Sequence, residues 1–192
     1  SEGQINITLG LTEPSGRIDP LGIETTATKT SEGYEINGTK LFVLNGHVSD
    51  YILVVARTGD QETDISIFNV PMGADGVTQT LLKTIASDRQ SEVILDNVKV
   101  SSDALLGELN QGWDTIERVL QWAAIGKCAE MSGGGQKVLD MTVEYAKQRT
   151  QFGRPIGSFQ AIQHHCANMA VDVEGSKFIT HQAAWKLSEG ID

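Results

Sequence analysis

Residues 145–160 read YAKQRTQFGRPIGSFQ, and this stretch decides how the second half of the chain folds. A helical run ends in Arg149, Thr150, Gln151 and Phe152, Gly153 and Pro155 break it, and Ser158 stands where it can cap a new helix. The corner carries a guanidinium fork, an amide and an aromatic ring. A fork matches a phosphate through two parallel hydrogen bonds, an amide donates or accepts, and a ring can lie on a base or a flavin. That combination suits a dinucleotide. The same residues also describe a surface loop, with Phe152 tucked into the core and Arg149 solvated.

Outward from the corner, the apolar spacing is helical on both sides. Upstream, Val119, Leu120, Ala123 and Ala124, then Val138, Met141 and Tyr145, follow a helical period, and Asp114-Thr115-Ile116-Glu117 has the form of a capping box. Ser132-Gly133-Gly134-Gly135 lies inside this helix. Each glycine costs about 0.5–1 kcal/mol relative to Ala, so the run calls for close packing, a local break or a ligand against bare backbone. Downstream, Ile162, Cys166, Met169, Ala170 and Val173 form one stripe of a helix reaching about Leu187. Roughly thirty residues at about 1.5 Å each make a rod of about 45 Å. Two such rods joined by a short corner predict half of an antiparallel four-helix bundle, the other half coming from further sequence or another subunit.

The first hundred residues read as strands. Ile5, Ile7 and Leu9 alternate, Tyr34 and Ile36 lead into Asn37-Gly38, and residues 41–44 lead into Asn45-Gly46, the two Asn-Gly pairs predicting tight turns. Residues 51–55, 65–68, 77–82 and 93–100 complete an antiparallel barrel or sandwich. The predicted class is therefore α+β, an antiparallel β-barrel followed by long antiparallel helices, with the boundary between Gly107 and Gly112.

Composition narrows the function. Among 192 residues, 25 acidic against 15 basic give a net charge of -10, which argues against nucleic acid or an anionic membrane as partner. No apolar run reaches the roughly 20 residues of a membrane span, and the amino terminus has neither the basic nor the apolar region of a signal peptide. Cys128 and Cys166, in apolar helical surroundings without ligand spacing, read as buried free thiols of a reducing compartment. His164 and His165 point about 100° apart on a helix and cannot share one metal, and His47 and His181 lack partners at ligand spacing.

Three stretches, taken in order, carry a resemblance: Leu11-Thr12-Glu13-Pro14, then Lys40-Leu41-Phe42-Val43-Leu44-Asn45-Gly46, then Arg149 to Ile156 with Phe159-Gln160. Together they resemble the acyl-CoA dehydrogenase family over nearly the whole chain. The resemblance implies a middle β domain at residues 1–108 and the first two long helices of the carboxy-terminal domain at 109–192, with the amino-terminal helical domain and the last helices absent. It further implies a non-covalent FAD, with Leu11 and Thr12 at the flavin edge and residues 42–44, Phe42 and Leu44 among them, covering the ring system. Arg149 is implied on the pyrophosphate of a neighbouring subunit's FAD, with Gln151, Phe152 and Gln160 beside it. The implied substrate is an acyl-CoA thioester oxidised at its α,β bond, with hydride passing to flavin N5 and electrons to an electron-transfer flavoprotein. A dimer or tetramer, homo- or hetero-oligomeric, in the cytoplasm or a mitochondrial matrix, completes what the resemblance implies.

The chain departs from the family pattern at several positions. Phe42 stands where Trp is usual, Leu44 where a Thr commonly donates to the flavin, and Arg17-Ile18-Asp19 where small residues and a Ser are usual, leaving Arg17 as a charge for a phosphate. The base is expected to be a Glu, from a late helix or from the start of the helix before the corner. Glu117-Arg118 resembles the early version, but counting back from Arg149 without gaps lands on Ala123-Ala124, and Glu117 also reads as a capping-box residue. These departures keep two alternatives: a non-catalytic FAD-binding partner subunit, and a flavin monooxygenase or oxidase on the same fold.

Overall fold

The computed structural model describes residues 3–191. Eight strands come first: β1 (Ile7–Gly10), β2 (Thr26–Lys29), β3 (Gly33–Leu44), β4 (Tyr51–Arg57), β5 (Ile65–Pro71), β6 (Val77–Leu82), β7 (Gln90–Ser101) and β8 (Leu105–Leu106). Helix α1 (Gly112–Gln148), the short strands β9 (Thr150–Gln151) and β10 (Arg154–Pro155), and helix α2 (Gln160–Ser188) follow. The class is α+β. The chain divides into two compact units between Ile116 and Glu117. Among the described residues no helix is long and apolar enough to cross a membrane.

The strands form one sheet in the order β6-β7-β3-β2-β4-β5-β8, its path ending at β6 and β8. Most pairs are antiparallel. β1 runs parallel to β4 from Ile7 opposite Tyr51, and β2 meets the same strand where Thr26 lies opposite Arg57. The two short strands thus lie one after the other beside β4. The core gathers Ile36, Val43, Val54, Phe68, Val93 and Val98, with the Tyr34 ring 4.8 Å from that of Phe68. Burial of this apolar set, at about 25 cal/mol per Å², is the main stabilising contribution of the unit.

Several local expectations are corrected by longer-range packing. Asn37-Gly38 makes no turn, because both lie inside the twelve-residue β3. Its partner β7 carries an extra residue opposite them, and the Asn37 carbonyl Oδ1 accepts from the Asn97 amide at 2.7 Å, so the ladder continues where a turn was predicted. Asn45 does turn the chain, at φ 53°. Helix α1 begins at Gly112, so Asp114 stands within the first turn instead of capping it, and no capping box forms with Glu117. The early start follows from close packing, since a Cβ on Gly112 would lie 3.0 Å from the Ile65 carbonyl, and Ile116 is buried. Ser158 does not cap α2. Its hydroxyl donates to the Pro155 carbonyl at 2.7 Å, and the helix opens after extended Phe159 without a side-chain cap.

The two helices are antiparallel, with Ser132 against Thr180 and Gln136 against Lys177. The glycine run leaves α1 unbroken. Gly135 faces Val173, whereas Gly133 and Gly134 have open space beside them. Cys128 is exposed and Cys166 half-buried, correcting the expectation of two buried thiols. Within the helical unit α2 covers one side of α1, so Leu139 and Ala146 are buried while Val138, Met141 and Tyr145 are exposed.

Candidate functional site

The first cluster is built around a turn and a strand. The chain leaves β1 into Leu11-Thr12-Glu13-Pro14, and the Gly16 amide closes the turn on the Glu13 carbonyl at 2.9 Å. The Glu13 side chain turns inward. Its carboxylate accepts from the amides of Glu24 at 2.7 Å and Thr25 at 3.1 Å, and from the Lys40 ammonium at 2.5 Å. The ammonium donates a second bond to the Val55 carbonyl at 2.6 Å. Both charges are out of water, at 0% exposure for Lys40 and 2% for Glu13. Burial lowers the Lys40 pKa to about 8, with the Glu13 charge acting in the opposite direction. Sequence reasoning gave this pair no role, although a lysine on the inward phase of an apolar strand was the available signal.

Beyond Lys40 the alternation of β3 changes phase. Lys40 lies opposite Val93 and Val43 opposite Ser91, so β3 carries one extra residue between them. Phe42 takes that strain, at φ 55°, a left-handed conformation that bulky residues seldom adopt. Val43 therefore turns inward, while Phe42 and Leu44 face out at 55% and 56% exposure. The Leu41 amide donates to the Thr12 carbonyl at 2.8 Å, and the Thr8 hydroxyl donates to the Leu44 carbonyl at 2.6 Å. The result is a groove of about 690 Å³ lined by Leu11, Thr12, Phe42 and Leu44, with Ile7 and Asn45 beside them. All four sheet residues expected from the sequence line this one groove.

The second cluster is the corner between the helices. Phe152 and Gly153 both take positive φ, 54° and 76°, and join β9 to β10 as a tight hairpin of the type that favours left-handed central residues. Phe152 is 91% exposed, which overturns the core alternative read from the sequence. Its ring meets Phe159 nearly edge-on, at 5.9 Å and 85°. Arg149 is exposed, and its carbonyl accepts from the Ile156 amide at 2.8 Å. The Gln151 side-chain Nε2 donates to the Thr150 carbonyl at 2.8 Å, and Gln160 is exposed as the first residue of α2. Arg149, Gln151, Phe152 and Gln160 thus belong to the helical unit, and Leu11, Thr12, Phe42 and Leu44 to the sheet unit.

Other candidates are less well placed. The Arg17 guanidinium is held by Asp19 at 2.8 Å, and this hydrogen bond lowers the Asp19 pKa and raises that of Arg17. Ile18 is exposed and apolar. Glu117 is exposed on α1. Among the described residues no group of three His, Cys, Asp or Glu side chains is arranged to hold a metal ion.

Two family models match the chain, "Acyl-CoA dehydrogenase, middle domain" over residues 8–98 and "Acyl-CoA dehydrogenase, C-terminal domain" over residues 110–192. The chain belongs to the acyl-CoA dehydrogenase family. Within that family it is 37% identical, over 194 residues, to the 3-(aryl)acrylate reductase of Clostridium sporogenes, covering 98% of this chain and 51% of that protein. The structure of butyryl-CoA dehydrogenase from Megasphaera elsdenii is similar at a TM-score of 0.91 and 34% identity, over 100% of this chain and 51% of that one. A glutaryl-CoA dehydrogenase from Mycobacterium smegmatis, in complex with FADH2, is similar at a TM-score of 0.88 and 30% identity, over 99% of this chain and 49% of that one. The chain spans about half the length of the curated relatives it matches.

The sheet groove fits a flavin on its own chemistry. An exposed aromatic ring and several aliphatic side chains offer apolar cover, while Asn6, Thr8, Thr12, Asn45 and Ser49 line the same groove with polar atoms. Apolar walls with polar groups to fix orientation are what a cofactor site requires.

Proposed function

We propose that this chain forms the flavin-facing part of a FAD-dependent oxidoreductase acting on the α,β bond of an acyl-CoA thioester. The observation that carries this reading is the convergence of Leu11, Thr12, Phe42 and Leu44 on one groove. Phe42 covers the ring system and the Leu11-Thr12 backbone meets its edge. Arg149 takes the pyrophosphate of a FAD in a dimer or tetramer, with Gln151, Phe152 and Gln160 beside it. When bound, FAD supplies the hydride acceptor at N5, the β-hydrogen leaving with its electron pair while the α-proton goes to a carboxylate base. The similarity to a protein named a reductase supports the same bond change run in the other direction. The electron partner is of the electron-transfer flavoprotein class.

The test is reconstitution of the whole protein with FAD, followed by anaerobic titration with acyl-CoA thioesters. Bleaching of the flavin band is expected. A protein that takes up no FAD sinks the reading.

Leu44 favours a second reading. An exposed apolar side chain with no hydrogen to donate stands on the groove, and no residue of this chain is assigned as base. A partner subunit that holds FAD without turning over substrate is consistent with that. Tight FAD binding with no bleaching by any acyl-CoA would select it.

A further inference from the structure

The buried pair of Glu13 and Lys40 bridges two segments far apart in sequence, the Leu11–Pro14 turn and the bulged end of β3. Its position beside the bulge matters more than its charge. Counting inward residues along β3, Tyr34, Ile36 and Lys40 are buried in phase, and continued alternation would bury Phe42 and Leu44 as well. The extra residue after Lys40 reverses that phase. A strand end carrying four apolar side chains in sequence, Leu41 to Leu44, could satisfy the core in either phase, because Phe42 or Val43 would fill apolar space inside. What distinguishes the two is Lys40, which must stay inward to reach both the Glu13 carboxylate and the Val55 carbonyl. The Leu41 amide, bonded to Thr12, lies between the pair and Phe42.

We propose that the Glu13–Lys40 pair is a positioning device that fixes the phase of the β3 bulge, and so holds Phe42 and Leu44 on the groove side facing the Leu11-Thr12 turn. Neither residue lines the groove, and both are buried. The pair acts through the backbone that it pins, which agrees with the best-attested use of buried polar pairs, the choice of register. The inference rests on the flavin reading for its functional consequence and on the sheet geometry for its structural one.

The test compares three forms of the full chain. Lys40→Met strands a buried carboxylate and can fail to fold, so the decisive form is the double variant Glu13→Gln, Lys40→Met, which has neither charge. The control is Val98→Ala, a fully buried core truncation on β7. Two readouts are taken, FAD affinity by fluorescence quenching and amide exchange at Leu41 and Asn45 on either side of the bulge. In the double variant FAD affinity is expected to fall at least about tenfold, equivalent to about 1.4 kcal/mol. Exchange is expected to quicken at Leu41 and Asn45 while the β4–β5 ladder stays protected. The control is expected to leave affinity unchanged and to weaken protection evenly. Retained affinity with slow Leu41 exchange in the double variant overturns the proposal, as does an equal loss of affinity in the control. If the unaltered chain binds no FAD, the flavin reading has failed, and the exchange pattern alone still decides the phase-setting role.

Discussion

The guanidinium carbon of Arg154 stands 4.2 Å from the centroid of the Phe159 ring, and the edge of Phe152 meets the same ring. One half-buried phenyl ring therefore holds the tip of the corner hairpin and its second arm. Phe159→Leu is expected to remove both contacts, each worth on the order of 1 kcal/mol or less at an exposed site. The Ile156 amide, bonded to the Arg149 carbonyl, should exchange faster with little change in the melting of the helices. Unchanged exchange there would show that the backbone alone shapes the corner.

Arg149 is exposed, so its replacement should leave stability alone. Arg149→Gln is expected to shift the melting temperature by no more than its surface position allows, about 0.5 kcal/mol in free energy. FAD affinity of the reconstituted protein should fall by roughly tenfold or more, because a charge-assisted pair is lost. Equal affinity in calorimetric titration would remove Arg149 from the site.

Phe42 offers a sign test. Truncating a buried aromatic to alanine ordinarily costs about 3–5 kcal/mol. Here the ring is half-exposed and the backbone sits at φ 55°, so Phe42→Gly relieves strain of about 1–2 kcal/mol. Chemical denaturation should show equal or slightly higher stability, while FAD affinity drops. A large stability loss would mean that the ring serves the core.

Glycine positions should separate cleanly. A Cβ on Gly38 would lie 2.7 Å from the Thr25 Cα, so Gly38→Ala is expected to cost about 1–3 kcal/mol. Gly133→Ala and Gly134→Ala meet open space in a continuous helix and should each stabilise this chain by about 0.5–1 kcal/mol. Thermal melts of the three single variants check both signs. Destabilisation by Gly133→Ala would reveal a close neighbour on that face.

Lys40 makes the chain's stability depend on alkaline pH. Its folded pKa of about 8 lies below the usual 10.5, so between these values the unfolded chain binds more protons. The burial penalty is fully present below about pH 8 and is relieved as pH rises toward 10.5. Relative to the double variant Glu13→Gln, Lys40→Met, the unaltered chain should gain stability across this window. The slope should not exceed about 1.4 kcal/mol per pH unit. A flat difference in denaturation midpoints from pH 8 to 10 would contradict it.

The sequence showed much of the fold wherever local pattern and final environment agreed. Val77–Leu82 forms a strand as read, and on α2 the stripe of Ile162, Cys166, Met169, Ala170 and Val173 is half-buried as its period predicts, whereas α1 buries Leu139 and Ala146 in place of Val138, Met141 and Tyr145. The groove residues were legible through an ordered set of motifs and not through periodicity. What escaped was set by distant partners. Asn37-Gly38 has the local chemistry of a turn, yet a continuous β7 on its flank holds it in a strand. Alternation places Phe42 and Leu44 on the same side as Lys40, and only the bulge separates them. Glu13 was visible as part of a motif, but its burial depends on a lysine 27 positions away.

The bulge in β3 also changes what kind of alteration this strand can survive. Elsewhere in a sheet the identity of a side chain is the sensitive variable, and a loop takes up differences in chain length. Between Lys40 and Val43 the residue count itself carries the information. Deleting a single residue there would turn Phe42 or its substitute toward the core without altering any other letter. Variation among descendants of this chain should therefore be free in composition at Leu41 and rigid in spacing across it.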